Sequence, residues 1–503
     1  MRSRPSASAV PEDKRAVPGD HRWLILMIVA IAQLMVVLDS TVVNIALPTA
    51  QRALGFANSD RQWVVTAYAL AFGSLLLLGG RIGDMFSRKR VFITGMAGFA
   101  LSSALGGASV SFGMLVTART LQGAFGAILA PAALGTLVST FRDPGERGRA
   151  FGVFGSVASA GGAVGLILGG LLTQYFSWRW TLYVNLFFAA IAIAGALAYM
   201  RGNRPDSRLR LDWRGTLLAS AGLFLIVSGF SRAELAGWTA ALTVGLLVAG
   251  LLLIAAFVLV EGRVSHPLLP LRIILDRTRG GAYISVGLAG IAIFGLFLFL
   301  IYYLQLVRGY SPVTSGLAFL PMIACIVASS NTSSIVLLPR SGPRTLIVAG
   351  MLLSGAGMAD LTLLTATSGY ARSILPALLI MGLGFGMIFS PAINTATAGV
   401  ARHDSGVASA LVNTMQQLGG SIGAAALSTI ALTSAATYLA GHHAGRLAQA
   451  TAAVHGYREA FTVSATLLGA GALVAVLLLP SRHRLAELRA AAPAAAAAAS
   501  VAS

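Results

Sequence analysis

Apolar positions in this chain neither alternate nor fall on one face of a helix. They come in unbroken runs of about 20 residues, the length needed to cross a bilayer as a helix. Fourteen such runs are expected, at 24–47, 63–79, 91–109, 112–134, 150–173, 180–199, 215–230, 240–260, 280–303, 315–337, 345–365, 373–399, 406–437 and 460–480. They are rich in Gly and helix formers and lack the two-residue period of a membrane barrel strand, so the predicted class is an all-α polytopic membrane protein. An even number of spans puts both chain ends on one side.

Composition agrees: 56% of residues are hydrophobic and 11% charged, too little charge to cover a soluble protein of this size. The net charge of +19 would suggest nucleic acid in a soluble chain, but its placement says otherwise. With the amino terminus inside, 27 of the 36 Lys and Arg lie on the inner side and 8 on the outer. That asymmetry predicts cytoplasmic termini in a cytoplasmic (inner) membrane, with lipid rather than nucleic acid as the partner of the basic loops. The first apolar run is too long for a cleavable signal. Cys325 lies in an apolar run with no second cysteine to pair with and reads as packing.

The chain repeats itself. Phe125-Gly126-Ala127-Ile128-Leu129-Ala130-Pro131 matches Phe385-Gly386-Met387-Ile388-Phe389-Ser390-Pro391 at an offset of 260, and Gly148, Gly161, Gly162 and Gly165 match Gly406, Gly419, Gly420 and Gly423 at 258. The segment 87–95 aligns more loosely with 342–350 at 255. Spans three to five thus pair with spans eleven to thirteen, which leaves spans seven and eight as an insertion. The expected organisation is a tail at 1–23, a six-helix bundle at 24–199, basic linkers with two inserted helices at 200–279, a second bundle at 280–480 and a low-complexity tail at 481–503. Parallel repeats of this kind place a substrate site between the halves.

Two charges lie where lipid surrounds the chain. Asp39 falls eight residues before Leu47 and Arg119 seven after Phe112, so they sit about 12 and about 10 Å below the outer ends of antiparallel helices. A carboxylate and a guanidinium at matching depth suit each other as partners, and intramembrane acids mark proton or ion routes. A structural ion pair is the alternative, although buried pairs are poor sources of stability. Burial disfavours an ionised carboxylate and a nearby guanidinium favours it. Moving Arg119, or inserting substrate beside it, would load or release a proton. Position 379, the repeat equivalent of Arg119, is leucine, so the coupling chemistry belongs to the first bundle.

Other polar residues are weaker candidates. Asp360, in the outer part of the eleventh span, is a candidate auxiliary acid or cation contact; the alternative is that it reaches the outer headgroup region or a wet cavity without a role in coupling. Asn44, Tyr68, Gln122, Asn394, Asn413 and Gln417 could line a partly polar substrate cavity, Gln122 most directly because it lies one turn from Arg119. Gly80, Asp84 and Arg88 in the loop between spans two and three exceed what a positive-inside loop requires. Asp84 could accept the positive end of the thirteenth span and latch the inner side. Gly161, Gly165, Gly169 and Gly170 leave one face of span five almost bare, for close packing or sliding. No catalytic or metal site is expected: there is no phosphate-binding G-x-x-x-x-G-K-[ST] loop, no H-E-x-x-H and no cysteine pair.

These motifs resemble those of the major facilitator superfamily, most closely its fourteen-helix drug–proton antiporter branch. Leu38 to Pro48, LDSTVVNIALP, is similar to the first-helix signature of that branch, and LVTARTLQGAFGA at 115–127 to its fourth-span motif, with the arginine on Arg119. The 80–90 loop resembles the cytoplasmic gating motif at Gly80, Asp84 and Arg88, departing at Met85 and Ser87. The glycines of span five resemble the antiporter motif, with Leu166 where proline is usual. Trp178-Arg179-Trp180 and Asn185 also look like the branch. The resemblance implies a 6 + 2 + 6 major facilitator fold and alternating access. It implies efflux of amphipathic drugs or antibiotics, expected to be proton-coupled, powered by the proton gradient without a cofactor and carried out by a monomer. A dedicated exporter of one metabolite, a proton-coupled importer and a non-transporting sensor are the alternatives.

Overall fold

The computed structural model describes residues 19–141, 143–200, 212–264, 271–397, 400, 405–441 and 446–481. Among them all regular structure is helical. Eight long helices come first: α1 (Gly19–Leu54), α2 (Arg61–Met85), α3 (Arg88–Gly107), α4 (Phe112–Thr140), α5 (Pro144–Tyr175), α6 (Trp180–Tyr199), α7 (Trp213–Ala236) and α8 (Ala241–Glu261). After the single turn α9 (Leu271–Ile274) follow α10 (Arg277–Tyr302), α11 (Pro312–Ala318), α12 (Leu320–Thr332) and α13 (Leu338–Leu361). The chain ends with α14 (Leu375–Thr397), α15 (Ser405–Ala440) and α16 (Arg446–Leu478). Each of the fourteen expected runs coincides with helix, α11 and α12 together filling the tenth. Nine helical stretches of the described residues are long and apolar enough, by length and composition, to cross a membrane.

Helices overrun the apolar runs. α1 and α15 have 36 residues each and α16 has 33. A helix stops when its backbone finds other partners, not where hydropathy falls; α1 continues through the polar Gln51 and Arg52. Starts are set by short polar residues. Asp143, Asp212 and Asp276 each accept from a backbone N–H three residues on at 2.9 Å, and Ser311 does so at 3.1 Å. Pro144 and Pro312 follow their caps, where the missing N–H costs nothing. Wide π turns at Tyr303–Val307, Ser333–Leu337 and Tyr370–Ile374 interrupt the second half, and Gly342, at φ 75°, breaks α13 in a conformation only glycine adopts easily.

The same neighbour pattern occurs twice. α4 packs on α2 and α3 as α14 packs on α12 and α13; α1 pairs with α5 and α6 as α10 pairs with α15 and α16. Pro131 and Pro391 sit inside the equivalent helices α4 and α14. α7 and α8 pack on each other, and α7 also lies against both α2 and α15. We call the side holding the start of α1 the near side. There Arg22 pairs with Glu146 at 2.7 Å and Lys89 donates to the Leu197 carbonyl at 2.8 Å. One apolar cluster fills the near part of the first bundle around Met35, Phe72, Phe92 and Phe99. The other runs through the second bundle and takes in Ile45, Leu47, Val64, Leu166 and Trp178 from the far ends of the first. The two bundles therefore share one core on the far side. Large apolar residues such as Leu101, Leu251, Leu252 and Leu473 point outward, as helices bathed in lipid require.

Candidate functional site

Asp39 and Arg119 meet. Arg119 Nη1 donates to Asp39 Oδ2 at 2.5 Å, and both side chains are almost completely buried. The matched depths put α1 and α4 in register, and five neighbours complete the constellation. Arg119 Nη1 also donates to Gln122 Oε1 at 2.9 Å and its Nε to the Val64 carbonyl at 3.1 Å. The Tyr68 ring lies under the guanidinium, 4.4 Å from ring centroid to Cζ, and is itself stacked on Phe72 and edge-on to Phe99.

The second carboxylate oxygen is equally engaged. Asp39 Oδ1 accepts from Gln122 Nε2 at 2.9 Å and from Asn185 Nδ2 at 2.8 Å. Both amides also donate to Ser103 Oγ, at 2.6 and 3.2 Å. Three donors and no acceptor face the acid, which is the environment of an ionised carboxylate. Five helices of one bundle, α1, α2, α3, α4 and α6, thus contribute to one polar network around the Asp39–Arg119 pair. Asn185 and Ser103 were not identified as site residues from the sequence. Ser103 carries no signal there at all; Asn185 was picked out for its resemblance to the branch but was given no role.

The remaining candidates scatter. Tyr68 belongs to the buried charge site and not to an open cavity wall. Asn44 turns back to the Ser40 carbonyl of its own helix at 3.0 Å, and Asn394 does the same with Ser390 at 3.0 Å. Gln417 lies at the bundle seam, its Cβ opposite Gly73 of α2, with Oε1 buried and unbonded. Asn413 and Asp360 are half-buried on α15 and α13, far along the chain from the acid. Gly80 lies beside Pro131. Arg88 donates to the Gly135 carbonyl at 3.1 Å, tying α3 to the near end of α4. The Asp84 side chain, and the side chains at the start of α15 that it was expected to meet, lie outside the described ones. Gly161, Gly165 and Gly169 face Leu34, Thr41 and Val42 of α1, whereas Gly170 faces Val313 of α11 in the other bundle. At Gly169 an added Cβ would come within 3.0 Å of the Val42 Cα, so the bare face is a contact surface. Arg179 closes the far end of α3 by donating to the Gly107 and Ser109 carbonyls at 2.9 and 2.5 Å. A cleft of about 340 Å³ beside Trp238, Thr433 and Glu459 opens on the far side, away from the acid. Among the described residues no group of His, Cys, Asp and Glu could hold a metal.

Two repeated bundles of apolar helices, one of them enclosing a buried acid and its guanidinium, are the framework of a multi-pass membrane protein. The family model of the Major Facilitator Superfamily matches residues 29–424, and the chain belongs to that family. It is 49% identical over 491 residues to the puromycin resistance protein pur8 of Streptomyces alboniger, covering 97% of each chain. It is 38% identical to the cephamycin export protein CmcT of Amycolatopsis lactamdurans, over 80% of this chain and 84% of that one. It is 33% identical to the lincomycin resistance protein of Streptomyces lincolnensis, over 94% and 95%. Among solved structures, a bacterial homolog of the human lysosomal transporter Spinster shares the fold, with a TM-score of 0.64 at 16% identity over 92% of this chain and 97% of that one.

Proposed function

We propose that the protein exports amphipathic drugs or antibiotics across the cytoplasmic membrane in exchange for protons. Both termini are cytoplasmic, so the near side faces the cytoplasm. The observation that carries this reading is the Asp39 carboxylate, sealed from solvent and held by Arg119 at 2.5 Å. A buried acid with one removable cation has two stable conditions. With Arg119 in contact it is ionised. When opening of the bundles or an arriving cargo draws Arg119 away, the carboxylate is left in an apolar site and takes a proton. Return of Arg119 expels that proton. Gln122 moves with Arg119 on one turn of α4, so the donor to Oδ1 and the cation on Oδ2 leave together.

Asp39 and Arg119 are the proton-coupling pair of this proposal, and the proton gradient is its energy source. Gly80, Asp84 and Arg88 gate the near side. Gly161, Gly165, Gly169 and Gly170 form the surface on which α5 seals against α1 and α11. The protein works as a monomer, with the inserted helices α7 and α8 beside its seam. Relatives named for resistance to, or export of, antibiotics support the direction of transport. Each of the three is named for one compound, which favours a second reading, a dedicated exporter of a single metabolite.

Inside-out vesicles loaded with a pH-sensitive dye test the coupling. With a proton gradient imposed, adding substrate to wild-type vesicles should release protons from the lumen, and Asp39→Asn should abolish this while the protein still inserts. Accumulation of substrate by Asp39→Asn vesicles under the same gradient would refute the assignment. A resistance profile in a host lacking its own pumps separates broad export, many compounds, from the dedicated alternative, one.

A further inference from the structure

At the far ends of α1 and α2, one helical turn beyond the Val64 carbonyl that Arg119 engages, a second cation crosses the gap between the bundles. Arg61 opens α2 at the far side and belongs to the first bundle. Its Nε donates to Gln51 Oε1 and its Nη2 to Asn58 Oδ1. Gln51 is in turn fixed by its own donation to Asn58 Oδ1 at 2.9 Å and to the Phe56 carbonyl at 3.0 Å. Both acceptors are residues of the first bundle, so the guanidinium is held in place from behind. Its face is presented to the second bundle. There Cζ stands 4.2 Å from the centroid of the Tyr302 ring, and the phenol of Tyr457 reaches the same guanidinium. Tyr302 is buried, its hydroxyl without a hydrogen-bond partner. Tyr457 is backed by Phe299, 5.6 Å between ring centroids.

This is an aromatic cation site with its occupant supplied by the chain itself. A cation over a desolvated tyrosine face is a recognised binding mode for guanidinium and ammonium ligands alike. The site sits at the mouth that must open for release. Around it the bundles are joined by Gln305, which donates to the Ile45 carbonyl at 3.1 Å, and by Gly170 against Val313. When the bundles part here, Arg61 leaves with Gln51 and Asn58, and Tyr302 and Tyr457 stay behind as an empty pair of rings. Tyr302 directly precedes the π turn Tyr303–Val307, an irregularity of the kind found where a helix re-aims side chains for a function.

We propose that Tyr302 and Tyr457 form a cation-binding site at the far mouth. Arg61 fills it while the mouth is shut, and the charged group of an exported amphipathic cation fills it while the mouth is open. The cation then competes with Arg61 and holds the mouth open until it departs. The proposal rests on the export reading above and adds the chemical class of one cargo and the place it occupies before release.

Tetraphenylphosphonium binding to the purified full-length protein, followed by tryptophan fluorescence or calorimetry, provides the test. Arg61→Gln removes the competitor and should tighten binding roughly two- to thirtyfold, the range to which a cation–π contact of about 0.5–2 kcal/mol converts. Tyr302→Leu should weaken binding in the wild-type background and cancel the gain in the Arg61→Gln background. Arg61→Lys, which restores a cation, should bring affinity back toward wild type. Unchanged or weaker binding by Arg61→Gln overturns the proposal, as does a gain that survives Tyr302→Leu. Because binding is read without a gradient, intact tetraphenylphosphonium binding alongside absent proton-coupled export would sink the export reading and leave this site standing.

Discussion

Whether the Asp39–Arg119 pair stabilises the protein or serves transport can be decided by removing it in two ways. Asp39→Leu alone leaves the Arg119 guanidinium buried with only the Gln122 Oε1 and Val64 carbonyl acceptors. Arg119→Leu alone leaves Asp39 with two amide donors and no cation. Orphaning one member of a buried pair costs about 3–5 kcal/mol, and each single variant should melt well below wild type. The double variant is different. Gln122 and Asn185 both keep Ser103 as acceptor, and two leucines fill the space of the pair, while Gln122 Oε1 loses its donor. Apolar replacement of a buried pair is about neutral; what is lost is the contact with Tyr68, about 0.5–2 kcal/mol, and the donor to Gln122 Oε1, about 1–3 kcal/mol. The double variant should therefore melt no lower than either single variant while transporting nothing under a proton gradient. Melting of the four purified proteins in one detergent, paired with vesicle transport, gives the answer. A double variant as unstable as the two singles combined would refute the reasoning, because it would mean that the pair holds the bundle together. A double variant that still transports would refute the coupling role.

Three further outcomes are expected. Asn185→Leu removes a donor from a carboxylate, worth about 1.5–3 kcal/mol; it should lower the melting temperature in the wild type and have a smaller effect in Asp39→Leu, measured as a double-mutant cycle. Gly170→Leu places a side chain where a Cβ already meets the Val313 Cα at 2.7 Å; it should wedge α5 from α11 and raise labelling of cysteines introduced at the far mouth, with no such rise for a leucine at Gly113, where nothing lies within 4 Å. Arg179→Ala frees the Gly107 and Ser109 carbonyls and should cost about 2–3 kcal/mol, read as a lower melting temperature with the substrate affinity of the surviving protein unchanged.

Much of this was open to reading before any coordinates. Depth arithmetic on two helices brought Asp39 and Arg119 together, and helical spacing added Gln122, because both inferences need only a rise per residue. The near-equal repeat offsets paired the helices that prove to have equivalent neighbours. Asn185 and Ser103 escaped because they approach the acid from α6 and α3, and rotation of a helix about its axis is not written in a run that is apolar all round. For the same reason the local bonds of Asn44 and Asn394, each to a carbonyl of its own helix and for Asn394 also to Ser334, were not legible. Arg61 was counted only as an outer charge; hydropathy cannot tell a solvated arginine from one that leans across a bundle interface. The three π turns were invisible for a related reason: they change which way residues point without changing composition.

The repeat also explains why the chemistry is divided. Two bundles with the same neighbour pattern could each carry a buried acid and its guanidinium, yet the equivalent of Arg119 is Leu379, a lipid-compatible side chain that is partly exposed. A second pair would bring a second desolvation penalty of several kcal/mol per ion. The second bundle keeps the framework and spends its polar capacity elsewhere. At the far mouth it offers aromatic faces, Tyr302 and Tyr457, and a single amide, Gln305, all of which meet the first bundle without placing an ion in the membrane. Contacts of that kind are worth about 1 kcal/mol each, small enough to break and remake in every cycle. The buried pair in the first bundle is too costly to expose without a compensating proton. The strong buried ion pair therefore lies inside one bundle, and weak, reversible contacts lie between bundles, which is the arrangement the proposed rocking about the seam needs.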